Sequence, residues 1–186
     1  MTDDELIAQY LNGDTCALET LVDRYMGRVY NLTLHITNDQ SAADDATQEA
    51  FVRAWRAIRG YRTGMSFKAW LFRIARNAAL DWVRKKKDVA FSVLDHDTDA
   101  SLQFVDTIVD EHPLPDAYAI TQESIRHTTA LLARLRPDHR EIVVLRHTSN
   151  LTFEEIGALV RRPLHTVKSQ YRRAIAALRE CVHQNQ

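Results

Sequence analysis

The feature that most constrains the fold of this chain is the spacing of its apolar residues, which recur at i, i+3 and i+4 along most of its length. This spacing matches the turn of an α-helix, and no segment alternates as a half-buried β-strand does. The 186 residues include only 5 Gly and 4 Pro, which argues against a turn-rich all-β architecture. We therefore expect an all-α protein.

Turn and capping residues divide the N-terminal half into helices. A first helical segment over 3–38 is expected to break at 12–14, where the sequence reads Asn-Gly-Asp. Ser41 and Asp44 form a capping-box pattern that predicts a helix start. Ser66 is the expected N-cap of a helix over 67–87 that follows a short loop.

The C-terminal half is predicted to form a compact helical unit. Helices are expected over 123–135 and over 137–147, with Pro137 in the first turn, where its missing N–H costs nothing. Thr152 and Glu155 form a second capping-box pattern before a short helix. The last helix is expected over 165–182, after Pro163.

The net charge of −1 hides an uneven distribution. Residues 51–87 carry eleven basic and one acidic side chain, 88–123 carry nine acidic side chains and neither Lys nor Arg, and 124–186 carry eleven basic and five acidic ones. Acidic self-repulsion and sparse apolar spacing predict a linker over 88–123. We therefore expect two small helical domains, 1–87 and 124–186. Their basic blocks favour nucleic-acid surfaces, with ordinary solvated helix faces as the alternative.

Residues 152–182 have the dimensions of a helix-turn-helix. Gly157 is expected where the first of its helices approaches the second closely. The second helix carries an apolar row, and its other side offers cations and hydroxyls suited to phosphates and guanine edges. These candidate DNA contacts are Thr166, Lys168, Ser169, Arg172 and Arg173. Plain packing of an amphipathic helix pair is the alternative.

The helix over 67–87 carries a second candidate nucleic-acid surface. Its cationic stripe includes an amide that can hydrogen-bond a base edge, and the preceding loop adds aromatic rings that can stack on exposed bases. The candidate residues are Tyr61, Arg62, Phe67, Arg73, Arg76, Asn77 and Arg84. The alternative is that the aromatic residues are core, and it is favoured for Trp70 and Trp82.

The helix that follows Ser41 has an acidic polar face, which is unsuited to DNA phosphates. Its members are Asp44, Asp45, Gln48, Glu49 and Arg53. Spacing alone favours a solvated face with a Glu49–Arg53 pair over a surface for a basic protein partner.

Enzyme chemistry is not expected, nor is a metal or cofactor. The eight His residues show neither an H-x-x-x-H nor an H-E-x-x-H spacing, and the chain has no P-loop and no G-x-S-x-G motif. Cys16 and Cys181 form no C-x-x-C pair, which fits a reducing compartment. The acidic N-terminus is unlike a signal peptide, and no apolar run approaches the ~20 residues of a membrane span. The sequence therefore predicts a cytoplasmic protein without membrane insertion.

Three strings in this order resemble a known family: SAADDATQEAFVRAWRAI, FKAWLFRIARNAALDWVRKKK and LTFEEIGALVRRPLHTVKSQYRRAIAALRE. They are similar to regions 2.2, 2.3–2.4 and 4 of extracytoplasmic-function (ECF) sigma factors of bacterial RNA polymerase. The resemblance covers about 4–87 and 124–181. It implies a promoter-specificity subunit that binds core polymerase through the β′ clamp helices and the β flap.

The resemblance also implies roles for the candidate residues. Asp44, Asp45, Gln48, Glu49 and Arg53 match the clamp-binding helix, which reverses the preference for a solvated face. The loop over 61–67 and Asn77 match the pocket that captures a flipped base of the −10 element. Lys168, Ser169, Arg172 and Arg173 match the helix that reads the −35 element. The acidic linker would follow the RNA path of the polymerase, and an anti-sigma factor is a further implied partner.

The helix-turn-helix turn departs from the family pattern. Arg161 stands where Gly is usual, Arg162 where an apolar residue is common, and His165 where Gly is frequent. A residue other than Gly costs about 1 kcal/mol if the turn needs a positive φ. The two arginines could instead add phosphate contacts. A self-standing helix-turn-helix regulator with an N-terminal interaction module remains the alternative function.

Overall fold

The computed structural model describes residues 1–62, 64–93 and 130–183. Within them the chain forms helices and no β-strand, as the apolar spacing predicts. The helices are α1 (Asp3–Leu11), α2 (Thr15–Thr37), α3 (Gln40–Ala57), α4 (Phe67–Val93), α5 (Pro137–His147), α6 (Phe153–Val160) and α7 (Leu164–His183). A 3-10 turn at Ile58–Gly60 follows α3, and residues 130–133 are also helical.

Side chains at the ends of α1 and α2 fix the predicted break between them. Thr2 and Glu5 form a capping box at the start of α1, because each side chain accepts a hydrogen bond from the backbone N–H of the other residue. The carboxylate of Asp14 accepts from the N–H of Cys16 at 3.0 Å and so caps α2.

The structure corrects the predicted start of α3, because Asp39 and not Ser41 is its N-cap. Asn38 ends α2 in the left-handed conformation, with φ 52°. Asp39 is then the N-cap, and its carboxylate accepts from the N–H of Ala42 at 3.0 Å. The helix thus begins at Gln40, because the break at Asn38 places Asp39 at the capping position before Ser41 is reached.

Helix α4 starts where it was predicted but extends further. The hydroxyl of Ser66 accepts from the N–H of Ala69 at 3.2 Å, as expected of its N-cap. The helix continues to Val93, six residues into the segment predicted as linker. No Gly or Pro interrupts 67–93, so the acidic residue at 88 is insufficient to end it. The remainder of the predicted linker lies outside the described residues, as does most of the predicted helix 123–135.

The C-terminal helices form the predicted helix-turn-helix. Pro137 is the first residue of α5, and Thr152 and Glu155 form a capping box at the start of α6. A Cβ added to Gly157 would meet the carbonyl oxygen of Arg162 at 2.9 Å, closer than a Cβ can approach. Gly157 therefore permits the tight passage from α6 into α7, as predicted.

The two halves of the chain pack against one another. Helix α5 lies on α2, and α6 lies on α4. One continuous cluster of buried apolar side chains includes residues of both halves. Its fully buried members include Leu21, Leu32, Leu71, Phe72, Ile142, Leu145, Leu151 and Ile156. The domains predicted as 1–87 and 124–186 are thus in direct contact in this structure.

Candidate nucleic-acid and partner surfaces

Helix α7 exposes the cationic side that its sequence predicts. Val167 and Ala174 are fully buried, whereas Lys168, Arg172 and Arg173 are exposed, and Thr166 and Ser169 are half-buried. Tyr171 anchors α7 to the neighbouring helices. Its hydroxyl lies 2.8 Å from Nε2 of His147, and its ring packs edge-on against Phe153. The candidate DNA contacts of α7 therefore share one open surface on a fixed helix.

The turn before α7 adopts the conformation that makes Arg161 unfavourable. Arg161 ends α6 in the left-handed region with φ 57°, a conformation that Gly adopts more readily than other residues. Its side chain is exposed. Arg162 lies near Asp138 of α5, with Nη1 3.4 Å from Oδ2, and Gln170 donates to the same oxygen at 3.2 Å. Arg162 therefore ties the turn to α5 in this structure, and Arg161 is the freer of the two for a phosphate.

The electrostatics at Asp138 favour this tie. Burial alone would raise the pKa of Asp138, but the hydrogen bond from Arg162 and nearby positive charges outweigh it and hold the pKa below its usual range. The carboxylate is ionised at neutral pH, so it holds the turn through charge-assisted hydrogen bonds.

The cationic stripe of α4 is only partly open. Arg73, Asn77 and Arg84 are exposed, as is Arg62 in the loop. Arg76 is different, because its Nε and Nη2 donate to the two carboxylate oxygens of Glu141 on α5, at 2.5 and 3.3 Å. The C-terminal half thus occupies one of the predicted DNA contacts. Sequence reasoning missed Glu141, since its pairing depends on how α5 docks.

The prediction that Phe67 is available to DNA is wrong. It is 2% exposed, and its ring packs edge-on against Tyr25 and Tyr61, so it belongs to the core and cannot stack on a base in this conformation. The first residue of α4 faces inward because the helix must cover the core. Trp70 is partly buried and packs against the core, as favoured from sequence. Trp82 is half-buried but is not among the residues packed against the core, and Nζ of Lys86 lies over its ring.

Tyr61 is the aromatic residue of the loop that is partly open. Its ring is half-buried and rests on Phe67 and Trp70, with centroid distances of 5.6 and 5.5 Å. A cleft of about 300 Å³ lies beside the loop. It is lined by Thr2, Asp3, Asp4, Tyr25, Met65, Ser66, Phe67 and Lys68. The contribution of α1 to this cleft has no signal in the sequence.

The acidic face of α3 is fully displayed. Asp44, Asp45, Gln48 and Glu49 are exposed, while five alanines on the opposite face are buried: Ala42, Ala43, Ala46, Ala50 and Ala54. Arg53 donates to Glu49 at 2.7 Å, the pair predicted from spacing, and to Asp81 of α4 at 2.9 Å. The hydrogen bond from Arg53 lowers the pKa of Glu49, so this carboxylate is ionised at neutral pH.

Within the described part of the chain, no group of His, Cys, Asp and Glu side chains is arranged to hold a metal ion. Among the helices that are described, none has the length and apolar character needed to cross a bilayer. Cys16 and Cys181 are both free thiols.

Comparisons with known proteins identify the family of this chain. The family models for sigma-70 region 2 and sigma-70 region 4 match residues 21–89 and 131–180. The chain is 30% identical over 174 residues to the ECF RNA polymerase sigma factor SigW of Bacillus subtilis (strain 168), an alignment that covers 94% of this chain and 93% of SigW. The chain belongs to the ECF family of RNA polymerase sigma factors.

Two solved structures share the fold. The structure of CnrH in complex with the cytosolic domain of CnrY is 22% identical, with a TM-score of 0.69 and coverage of 99% of both chains. The sigma factor RpoE in complex with the anti-sigma factor NepR from Bartonella quintana is 20% identical, with a TM-score of 0.70 and coverage of 91% of this chain and 98% of the other. Family and fold together make this chain a promoter-specificity factor for transcription initiation. The match to region 2 excludes a self-standing regulator with an unrelated N-terminal module.

Proposed function

We propose that this sigma factor divides its tasks among three surfaces. The acidic face of α3 docks on the β′ clamp helices of core polymerase. The loop between α3 and α4, together with the exposed side of α4, captures and holds the −10 element. Helix α7 reads the −35 element. The predicted domain limits, 1–87 and 124–186, separate the first two tasks from the third.

The exposed carboxylates of α3 carry this proposal. Asp44, Asp45 and Glu49 lie on a helix whose opposite side packs into the core through buried alanines, so the helix that carries them is fixed. Carboxylates repel DNA phosphates but complement a basic protein surface. An acidic face beside a cationic helix therefore favours a polymerase surface on one side and DNA on the other.

The exposed side of α4 suits an unpaired DNA strand. Arg73 and Arg84 can neutralise phosphates, and Asn77 can hydrogen-bond a base edge. Tyr61 offers part of an aromatic face to a base that has left the duplex, and stacking of this kind contributes about 1–3 kcal/mol per base. Holding such a base stabilises the melted promoter, because the duplex must be opened before the base can enter.

Helix α7 suits the major groove of duplex DNA. Lys168, Arg172 and Arg173 are exposed on it, and the short polar side chains of Thr166 and Ser169 lie at its N-terminal end. This arrangement matches a recognition helix, whose N-terminal residues contact base edges while longer cations reach phosphates. By family resemblance, the same domain would dock on the β flap.

An anti-sigma factor is a further expected partner. RpoE, which shares the fold, was solved in complex with the anti-sigma factor NepR. The two halves of the present chain already touch through α2–α5 and α4–α6. A partner that stabilises this contact would keep Arg76 away from DNA and hold the sigma factor inactive.

Charge reversal on α3 tests the proposal. Asp45→Lys with Glu49→Lys is expected to weaken binding to core RNA polymerase by well over tenfold, because like charges would then face each other. The helical circular dichroism spectrum should be unchanged, since both positions are exposed. Glu19→Lys with Asp23→Lys, an equal reversal on the exposed side of α2, is the matched control. Core affinity equal to that of this control would refute docking through α3.

A further inference from the structure

The loop that is proposed to capture a base is held by a carboxylate from α1, far from the loop in sequence. Asp4 lies in the first turn of α1, yet Oδ1 accepts from the hydroxyl of Tyr61 at 3.0 Å and Oδ2 accepts from the N–H of Gly64 at 3.3 Å. The two contacts span 57 and 60 residues of sequence. One side chain therefore joins the start and the middle of the loop.

Asp4 is free for this task because other residues cap its helix. Thr2 and Glu5 satisfy the exposed end of α1 through their capping box. Asp3 pairs with Arg24 at 2.6 Å and accepts from the hydroxyl of Tyr25 at 2.5 Å. Leu6, one turn inside the helix, is buried in the core. Asp4 is therefore presented to the loop from a rigid support.

The described residues of the loop, 61–62 and 64–66, also form local hydrogen bonds. Its backbone bonds include the N–H of Tyr61 donating to Ile58 and the N–H of Met65 donating to Arg62. Gly64 adopts φ 89°, a conformation open to Gly, so its N–H can turn towards Asp4. The hydroxyl of Tyr61 also hydrogen-bonds the carbonyl oxygen of Met65. Burial, followed by the hydrogen bond to Asp4, raises the pKa of Tyr61, so its hydroxyl keeps its proton at neutral pH.

We infer that Asp4 is a positioning residue for promoter melting. It fixes Tyr61 and the backbone at Gly64 beside the cleft lined by Thr2, Met65 and Ser66, so that the loop is shaped before the base arrives. A preformed loop loses less conformational entropy on binding, which strengthens the captured state. This inference rests on the proposed role of the loop in base capture.

The test measures holoenzyme affinity for two DNA probes. One is a forked promoter fragment with a single-stranded non-template −10 segment, and the other is a fully duplex −35 fragment, both from a promoter mapped by run-off transcription. Asp4→Ala is expected to lower affinity for the forked DNA by about threefold to tenfold, the effect of one or two net hydrogen bonds. Affinity for the −35 duplex and for core polymerase should be unchanged.

Asp4→Asn guards against misfolding, because the amide retains shape and one acceptor oxygen, and it should give an intermediate loss. Asp23→Asn, which removes one charge from an exposed site on α2, is the matched control. The effect of Asp4→Ala should shrink at least about twofold in a Tyr61→Phe background, since residues that act together are not additive. Fully additive effects, or a loss that is equal on both DNA probes, would overturn the positioning role.

The same assay separates failure of this inference from failure of the proposed function. If Tyr61→Ala and Asn77→Ala both bind the forked DNA as wild type does, base capture by this surface is wrong. If these two variants bind the forked DNA more weakly while both Asp4 variants match Asp23→Asn, base capture stands and the role of Asp4 alone is wrong.

Discussion

Arg76 of α4 and Glu141 of α5 form a two-point ion pair across the two halves of the chain, with nitrogen–oxygen distances of 2.5 and 3.3 Å. Both side chains are largely covered, with exposures of 20% and 17%. Near the start of α4, Nζ of Lys68 makes a second contact between the halves, since it donates to the carbonyl oxygen of Asn150 at 2.6 Å. Glu141 therefore pairs with Arg76, a cation of the proposed −10 surface, in the way that a DNA phosphate would. DNA can reach Arg76 only when the two halves separate.

Loss of the charge at Glu141 should loosen this contact. Glu141→Gln keeps the shape of the side chain but weakens a charge-assisted pair, and such hydrogen bonds contribute about 1.5–3 kcal/mol. We expect the free protein to bind a single-stranded −10 segment on the order of tenfold more tightly at low salt, because Arg76 becomes available to it. Cys16 on α2 and Cys181 on α7 are free thiols, one in each half, so donor and acceptor dyes on them can report separation by energy transfer.

Glu19→Gln is the control for this experiment, because it removes one exposed carboxylate from α2 and leaves the ion pair intact. An unchanged energy transfer signal and unchanged DNA affinity in Glu141→Gln would show that the contact does not restrict the free protein.

Arg161→Gly should stabilise the C-terminal domain. Arg161 has φ 57°, a region that costs L-residues about 1 kcal/mol and Gly almost nothing. Its side chain is exposed, so little packing is lost. We expect a gain of about 0.5–1 kcal/mol in the free energy of unfolding, measured with denaturant. Arg161→Ala removes the same side chain without relieving the backbone, so it should give no gain. Equal stability of the two variants would contradict this account.

Acidification should destabilise the contact between α2 and α5 through His35. Burial, followed by the positive charge of Arg140, lowers the pKa of His35. Arg140 cannot easily move away, because it donates to the carbonyl oxygens of Leu132, Ala133 and Leu135 at 2.8–3.2 Å. The unfolded chain binds a proton at His35 with a pKa of about 6.5, before the folded chain does. The contribution of neutral His35 to the free energy of unfolding is therefore fully present above the unfolded-state pKa, and it is lost as the pH falls below that value.

Melting temperatures in matched buffers between about pH 7 and 5 check this expectation. His35→Gln should flatten the fall in melting temperature, whereas replacement of the exposed His165 by Gln should leave it unchanged. The same slope in wild type and His35→Gln would assign the pH dependence to other groups.

The local architecture could be predicted from the sequence because its causes are local. The apolar spacing determined the all-α class, and the Thr152–Glu155 capping box and Pro137 marked helix starts that the structure has. The tight passage at Gly157 and the unfavourable φ of Arg161 also follow from residues within one turn. Even at a helix start, two nearby residues can compete for the capping position, since Asp39 and not Ser41 caps α3.

Only the tertiary structure decided which side chains remain available. Phe67 is buried, Arg76 faces Glu141 and Asp4 reaches Tyr61, and each outcome depends on residues far apart in sequence. Helical periodicity states which residues share a face, because it reflects the 3.6-residue turn. It does not state which helix that face meets. Docking of α5 on α2, and of α1 beside the loop, sets those partners through the shape of the packed core.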